Sequence, residues 1–158
     1  MYTDALTFLD EERDAWRPYE ALEGLTDDRL DRSVEAANGW SGRDLMTHMV
    51  FWQDVALQVA RDLALGETSP TIARFDAEWE TRGPGWNDEI MAEWRTLPIG
   101  EVRRRFRETA GELRGTLTVV PESRWVKHAE HMKTFTEETL DHYAEHVKEL
   151  EAILAASA

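Results

Sequence analysis

Five histidines are spread over 158 residues, and two of them, His142 and His146 in "LDHYAEHVKEL", stand four apart. On a helix this spacing projects both imidazoles from one face, where a single cation can bind both. The pair borders the stripe Tyr143, Val147, Leu150, where a bundle interior would meet solvent. Roughly 0.15 such pairs arise by chance in a chain of this composition, so two solvated histidines on a charged helix explain the spacing equally well. A third histidine lies in "GWSGRDLMTHMVFW". At about 100° of rotation per residue, His48 falls beside Leu45 and Trp52 on the apolar side of its helix. A lone inward histidine is ordinarily satisfied by a carbonyl or a water. One inward histidine on the second long helix plus two on the last, however, are the parts of a three-histidine site across a bundle core. Three neutral nitrogens leave a fourth position for water or substrate, which is the catalytic arrangement, and Zn, Ni, Co and Fe(II) all accept imidazole. The expected ligands are His48, His142 and His146, holding a divalent cation with Zn or Ni first in line. Glu138, Asp141, Glu145 and Glu149 stand nearby on the same helix, either as solvated charges or as groups that orient a ring or act as a base.

The elements that must position these side chains are helical. Helix one is expected from Thr3 to about Leu22, with Leu6, Leu9, Trp16 and Tyr19 near one face and Pro18 enforcing a kink or early stop. "LTDDRL" reads as a short turn capped by Thr26. Helix two begins after Ser41, whose hydroxyl can accept a free backbone N–H, and runs to about Leu65 before Gly66. A long connection, Glu67 to Asn87, follows with "TSP" and "RGPGWN" as turn chemistry and Asn87 as a cap for "DEIMAEW". Helix three runs from near Pro98 to the Pro121 break. Helix four opens at "TFTE", a Thr134–Glu137 capping box, and continues to the C-terminus. Strand signals are nearly absent. The reading is all-α: one domain over residues 1–158, a four-helix bundle with a long connection between helices two and three.

Composition narrows the function. Lys plus Arg number 18 against 32 Asp plus Glu, a formal charge of −14, which repels phosphate backbones and anionic membrane surfaces. Nucleic acid and membrane are therefore not expected partners; a small molecule is. No apolar run approaches the ~20 residues of a membrane span, and the polar N-terminus is unlike a signal peptide, so a cytoplasmic location is expected. With no Cys, the chain has no thiolate ligand, disulfide or Cys nucleophile. Arg103 and Arg107 share a helix face and suit a carboxylate, or form a solvated stripe with Arg104 and Arg105. His128 and His131 are expected at the surface. Trp79, Trp86 and Trp94 wall a pocket mouth or pack the long connection onto the bundle.

"GWSGRDLMTHMVFW" resembles the Trp-Ser/Thr-x-x-Asp-Leu-x-x-His signature of the DinB/YfiT-like superfamily, and "DHYAEHVKEL" is similar to its last-helix His-x-x-x-His. The resemblance covers nearly the whole chain. It implies a metal at His48, His142 and His146 and a homodimer by analogy. It also implies one of two activities. The first is thiol-dependent chemistry on a small electrophile, as in mycothiol-dependent maleylpyruvate isomerases and bacillithiol S-transferases, with a low-molecular-weight thiol supplied from solution. The isomerases typically carry Glu where this chain has His142. The second is the ClbS/DfsB-like branch of resistance proteins, which does not generally depend on the triad and which "WETRGPGWNDEIMAEWRTLP" and "EVRRRF" resemble.

Overall fold

The first turn of the chain shows how local chemistry places each helix. In the computed structural model, which describes residues 2–158, Asp4 accepts the Thr7 N–H at 2.8 Å and so opens α1 (Ala5–Trp16). Pro18 then enforces the expected stop: the chain tightens into a 3-10 stretch, Arg17–Gly24. Of the face expected for this helix, Leu9, Trp16 and Tyr19 are buried, whereas Leu6 is exposed. A one-turn helix α2 (Asp27–Leu30) follows; Thr26 precedes it but makes no side-chain cap, in contrast to the sequence reading.

Asn38 (φ 57°) and Gly39 (φ 80°) take left-handed backbone, which turns the chain so that Trp40 can pair its carbonyl with the Val34 N–H. Ser41 then starts α3 (Gly42–Leu65). Its hydroxyl accepts the Asp44 N–H, while Asp44 accepts the Ser41 N–H at 3.0 Å, a reciprocal cap. Asp44 also receives Arg95 at 2.9 Å, tying the start of α3 to the segment before α6.

The long connection is not a loop. It folds as α4 (Pro70–Arg82) and α5 (Gly85–Trp94), separated by the Gly83–Pro84 turn. "TSP" is a helix start rather than a turn, since Ser69 caps the Ile72 N–H and Pro70 occupies the first helical position, where its missing N–H costs nothing. Asp62 on α3 accepts both the Ser69 hydroxyl (2.8 Å) and the Thr71 N–H (3.0 Å), which fastens α4 to the bundle. Asn87 lies within α5 instead of capping it.

Helix α6 (Ile99–Leu117) buries Val102, Phe106, Ala110, Leu113 and Leu117 along one stripe, with α3 as its most extensive partner. After Pro121 the last arm begins earlier than expected. Helix α7 (Ala129–Thr136) is capped by His128, so Thr134 and Glu137 are not a capping box. A π-helical turn, Glu137–Asp141, leads into α8 (His142–Glu145); the helix breaks at His146 (φ −102°, ψ 10°) and resumes as α9 (Val147–Ala156). The Thr136 and Thr139 hydroxyls donate to the carbonyls four residues back, at 3.0 and 2.6 Å, a competition that loosens regular helix.

α1, α3, α6 and the α7–α9 run are the four long arms expected of the bundle, and no strand occurs among the described residues. No helix among them is long and apolar enough to cross a membrane. One apolar cluster gathers Trp16, Tyr19, Met49, Phe106 and Tyr143; a second gathers Phe8, Leu57, Leu117, Trp125 and Phe135. A polar spine runs through the first. Glu12, 1% exposed, accepts Arg114 and the Tyr143 hydroxyl, both at 2.8 Å. The Tyr143 oxygen in turn accepts Gln53 at 2.8 Å, and the Tyr19 hydroxyl donates to the Tyr143 carbonyl. These bonds join α1, α3, α6 and α8 at the residue next to His142.

Candidate metal centre and its cavity

The three histidines singled out by spacing meet. Ring centroids of His48 and His146 are 4.6 Å apart, those of His48 and His142 5.4 Å, and those of His142 and His146 6.2 Å. Imidazoles sharing one tetrahedral cation hold their centroids roughly 5 Å apart, given metal–nitrogen bonds of about 2 Å. Among the described residues no group of three or more His, Cys, Asp or Glu already has metal-holding geometry. The rings stand as neighbours, with His48 and His146 edge to face at 74°.

Whether they suit a cation is decided by their nitrogens. His48 is 6% exposed, and its Nε2 is buried without any hydrogen-bond partner among the described residues. Of the ordinary partners of an inward histidine, a protein carbonyl is therefore not supplied to this nitrogen by the described residues. The His142 Nδ1 donates to the Glu137 carbonyl at 2.6 Å across the π-helical turn, which fixes the tautomer and leaves Nε2 with its lone pair free to bind. The Nδ1 of His146 lies 3.7 Å from Glu149 Oε2, beyond hydrogen-bond reach, and Asn38 holds the other Glu149 oxygen at 2.9 Å. Burial, reinforced by His146 and His142, pushes His48 down to about 3. Burial also lowers His146, against the pull of Glu149 and Glu145. Both are neutral at pH 7 and present lone pairs. The donor set suits a borderline cation such as Zn or Ni.

Two tryptophans frame the rings. Trp40 stacks on His146 at 5.2 Å and leans on His48 at 5.1 Å; Trp52 stacks on His142 at 5.4 Å and donates to Asn87 at 3.3 Å. The histidines open into a cavity of about 740 Å³, within the range of small-molecule sites. Helix α4 supplies Phe75, Asp76, Trp79 and Glu80 to its wall, and α5 supplies Trp86 and Asn87. Trp79 and Trp86 thus line the cavity. Trp94 does not: it is buried, with the Arg105 guanidinium 4.9 Å from its ring centre.

The four acids flagged on the last arm separate. Glu149 faces His146, Glu138 and Glu145 line the cavity, and Asp141 is exposed outside it. Glu138 is no solvated charge. Its Oε2 is buried without a partner, and burial, aided by Glu137 and Asp76, raises its carboxyl to about 8. The folded protein therefore keeps a proton between pH 4.5 and 8 that the unfolded chain releases. This contribution to stability is complete below pH 4.5 and is lost as pH rises through 8. For metal-free protein, Glu138→Gln should gain on wild type by up to about 1.4 kcal/mol per pH unit across that window. Chemical denaturation at several pH values measures this; a gap that stays flat between pH 5 and 8 would mean a solvated carboxylate.

The other sequence candidates do not reach the site. Arg103 donates to Asp27 and to the Glu23 and Leu25 carbonyls, and Arg107 lies 3.5 Å from Glu23, so this pair braces the segment after α1. Arg104 and Arg105 pair with Glu101 on their own helix. His128 and His131 stack on each other at 3.7 Å. His131 is buried rather than at the surface, because its Nδ1 donates to the Arg124 carbonyl at 2.6 Å and burial leaves no bond unmade.

No curated protein and no solved structure matches the chain significantly. The family described as mycothiol maleylpyruvate isomerase N-terminal domain does, over residues 9–155, a span that includes His48, His142 and His146. The chain therefore belongs to that family, as a DinB/YfiT-like helical bundle domain.

Proposed function

We propose that this protein is a divalent-metal-dependent enzyme acting on a small electrophile, with His48, His142 and His146 as ligands. The observation that carries the proposal is the buried, partnerless Nε2 of His48 beside two further imidazoles. A buried ring nitrogen without a hydrogen-bond partner costs stability, and a cation bound there would satisfy it. When bound, a Zn or Ni ion would lower the pKa of a thiol or water in its open position. The chain's own residues do the rest. The Glu137 carbonyl aims His142, Glu149 stands behind His146, and Trp40 and Trp52 hold the rings in place. Glu138, protonated at neutral pH, is the proton donor available in the cavity.

With no Cys in the chain, a thiol nucleophile comes from solution, and the family name supports a low-molecular-weight thiol of the mycothiol kind. Thiol transfer or thiol-assisted isomerisation is the leading reaction class, with hydrolysis as the water-driven counterpart. Maleylpyruvate itself, a dicarboxylate, is not the proposed substrate: no Lys or Arg is among the described residues lining the cavity. The aromatic walls also suit a metal-free protein that only sequesters its ligand, in the manner of the ClbS/DfsB-like branch.

Elemental analysis of protein purified without a polyhistidine tag separates the two. The enzyme reading expects near-stoichiometric Zn or Ni, removed by chelator and restored on addition. Metal-free protein that takes up neither ion when titrated would overturn it and leave the binding reading.

A further inference from the structure

The cavity beside the histidines has a one-sided charge. Asp76, Glu80, Glu137, Glu138 and Glu145 line it, and no Lys or Arg is among the described lining residues. Of these acids only Glu137 has a cationic neighbour among the described residues, Lys133 at 3.5 Å. A divalent ion at the three histidines would leave the wall negative. The field of the whole chain, at a formal −14, has the same sign.

Sharing the cavity wall with these acids is a box of rings. Trp52 has Trp79 at 6.0 Å, Trp86 at 6.3 Å and Phe75 at 6.5 Å between centroids, and Phe75 stacks on Trp86 at 5.2 Å. Aromatic faces attract cations electrostatically, most strongly where water is excluded. Two guanidinium groups already exploit this from elsewhere: Arg82 stands 5.5 Å from the Trp86 ring centre and Arg74 5.3 Å from that of Phe75, although neither lines the cavity. Three polar atoms of the cavity's lining residues are buried without hydrogen-bond partners among the described residues: Glu138 Oε2, His48 Nε2 and His146 Nδ1. Rings, carboxylates without an ion-pair partner and the absence of any Lys or Arg among the described lining residues together describe a receptor for positive charge.

We propose that the substrate is a compact organic cation, an amine or quaternary ammonium attached to the reacting group, caged by Trp52, Trp79 and Trp86 and countered by Asp76 and Glu80. The inference deepens the enzyme reading and rests on it for the identity of this cavity as the substrate site. It excludes carboxylate-bearing electrophiles, and it favours a thiol partner without carboxylates.

Tryptophan fluorescence of the chelator-treated full chain tests it with three probes: benzyltrimethylammonium, its uncharged isostere neopentylbenzene, and phenylacetate. The cation should bind about 10-fold or more tighter than the isostere, and phenylacetate should not saturate. The double variant Asp76→Asn with Glu80→Gln, altered only at exposed positions of α4, should weaken the cation several-fold and leave the isostere unchanged. Trp79→Leu should narrow the gap between cation and isostere. Equal binding of cation and isostere, saturable phenylacetate, or a double variant that binds the cation like wild type would each overturn the proposal. Zinc uptake is measured on the same preparation, so the two readings fail separately. Full uptake without charge selectivity removes this inference alone; selectivity without uptake supports the cation receptor and removes the metal.

Discussion

His48→Ala should weaken zinc binding by about 100-fold or more, because even the loss of a partner that merely orients a ligand costs 10- to 100-fold. The readout is the thermal shift on adding zinc. A ligand at 1,000 times its dissociation constant stabilises the fold by about 4.1 kcal/mol, and a 100-fold weaker site at the same concentration stabilises it by only about 1.4 kcal/mol. Without metal, the substitution should be mild for a core position. It opens a space, but it also removes the sealed Nε2, and an unmade bond of that kind costs about 1–3 kcal/mol. The variant also has a pH signature. The His48 imidazole stays neutral in the fold down to about 3, while the unfolded chain takes up a proton near 6.5, so the buried ring destabilises metal-free wild type as pH falls through that window. His48→Ala removes this slope. A zinc-induced shift equal to that of wild type would eliminate His48 as a ligand.

Arg114→Ala should be the most damaging change outside the site, with a loss of about 3–5 kcal/mol, the typical cost of stripping one partner from a buried ion pair. Glu12 is 1% exposed and depends on Arg114 and Tyr143 for its two oxygens. Without the guanidinium its charge is sealed against hydrocarbon. The paired change, Glu12→Gln with Arg114→Met, should recover most of the loss, since it removes the charge together with its counter-charge. Urea denaturation of the single and double variants measures both. A loss below about 1 kcal/mol for Arg114→Ala would mean that water reaches Glu12. The network also sets the rotation of the last arm, because Tyr143 is anchored through both its hydroxyl and its carbonyl, next to His142.

Much of this was legible in the residues. The Ser41 start of α3, its end before Gly66, the break imposed by Pro18 and the inward face of His48 follow from rules that act within one or two turns. Local patterning failed where two local signals had competing meanings. "TSP" served as a helix start rather than a turn, and His128 capped α7 before Thr134 had the chance. Nothing in the local sequence marks Glu12, and Glu138 read as either a solvated charge or a working group beside the histidines. Their burial depends on Arg114, 102 residues away, and on the wall contributed by α4. The outward placement of Leu6 and the buried state of His131 were likewise settled by partners from other helices or turns.

By itself the sequence determined an all-helical chain, its family, and three imidazoles on two helices, since these depend on periodicities of a few residues and on side-chain types. Only the tertiary structure decided that the His48 Nε2 has no hydrogen-bond partner among the described residues, that Glu137 and Glu149 back the other two rings, and that the described lining of the adjoining cavity is aromatic and acidic without Lys or Arg. The reason is physical: a helix period fixes the direction of a side chain, whereas its solvation, protonation and company depend on which distant surfaces close over it.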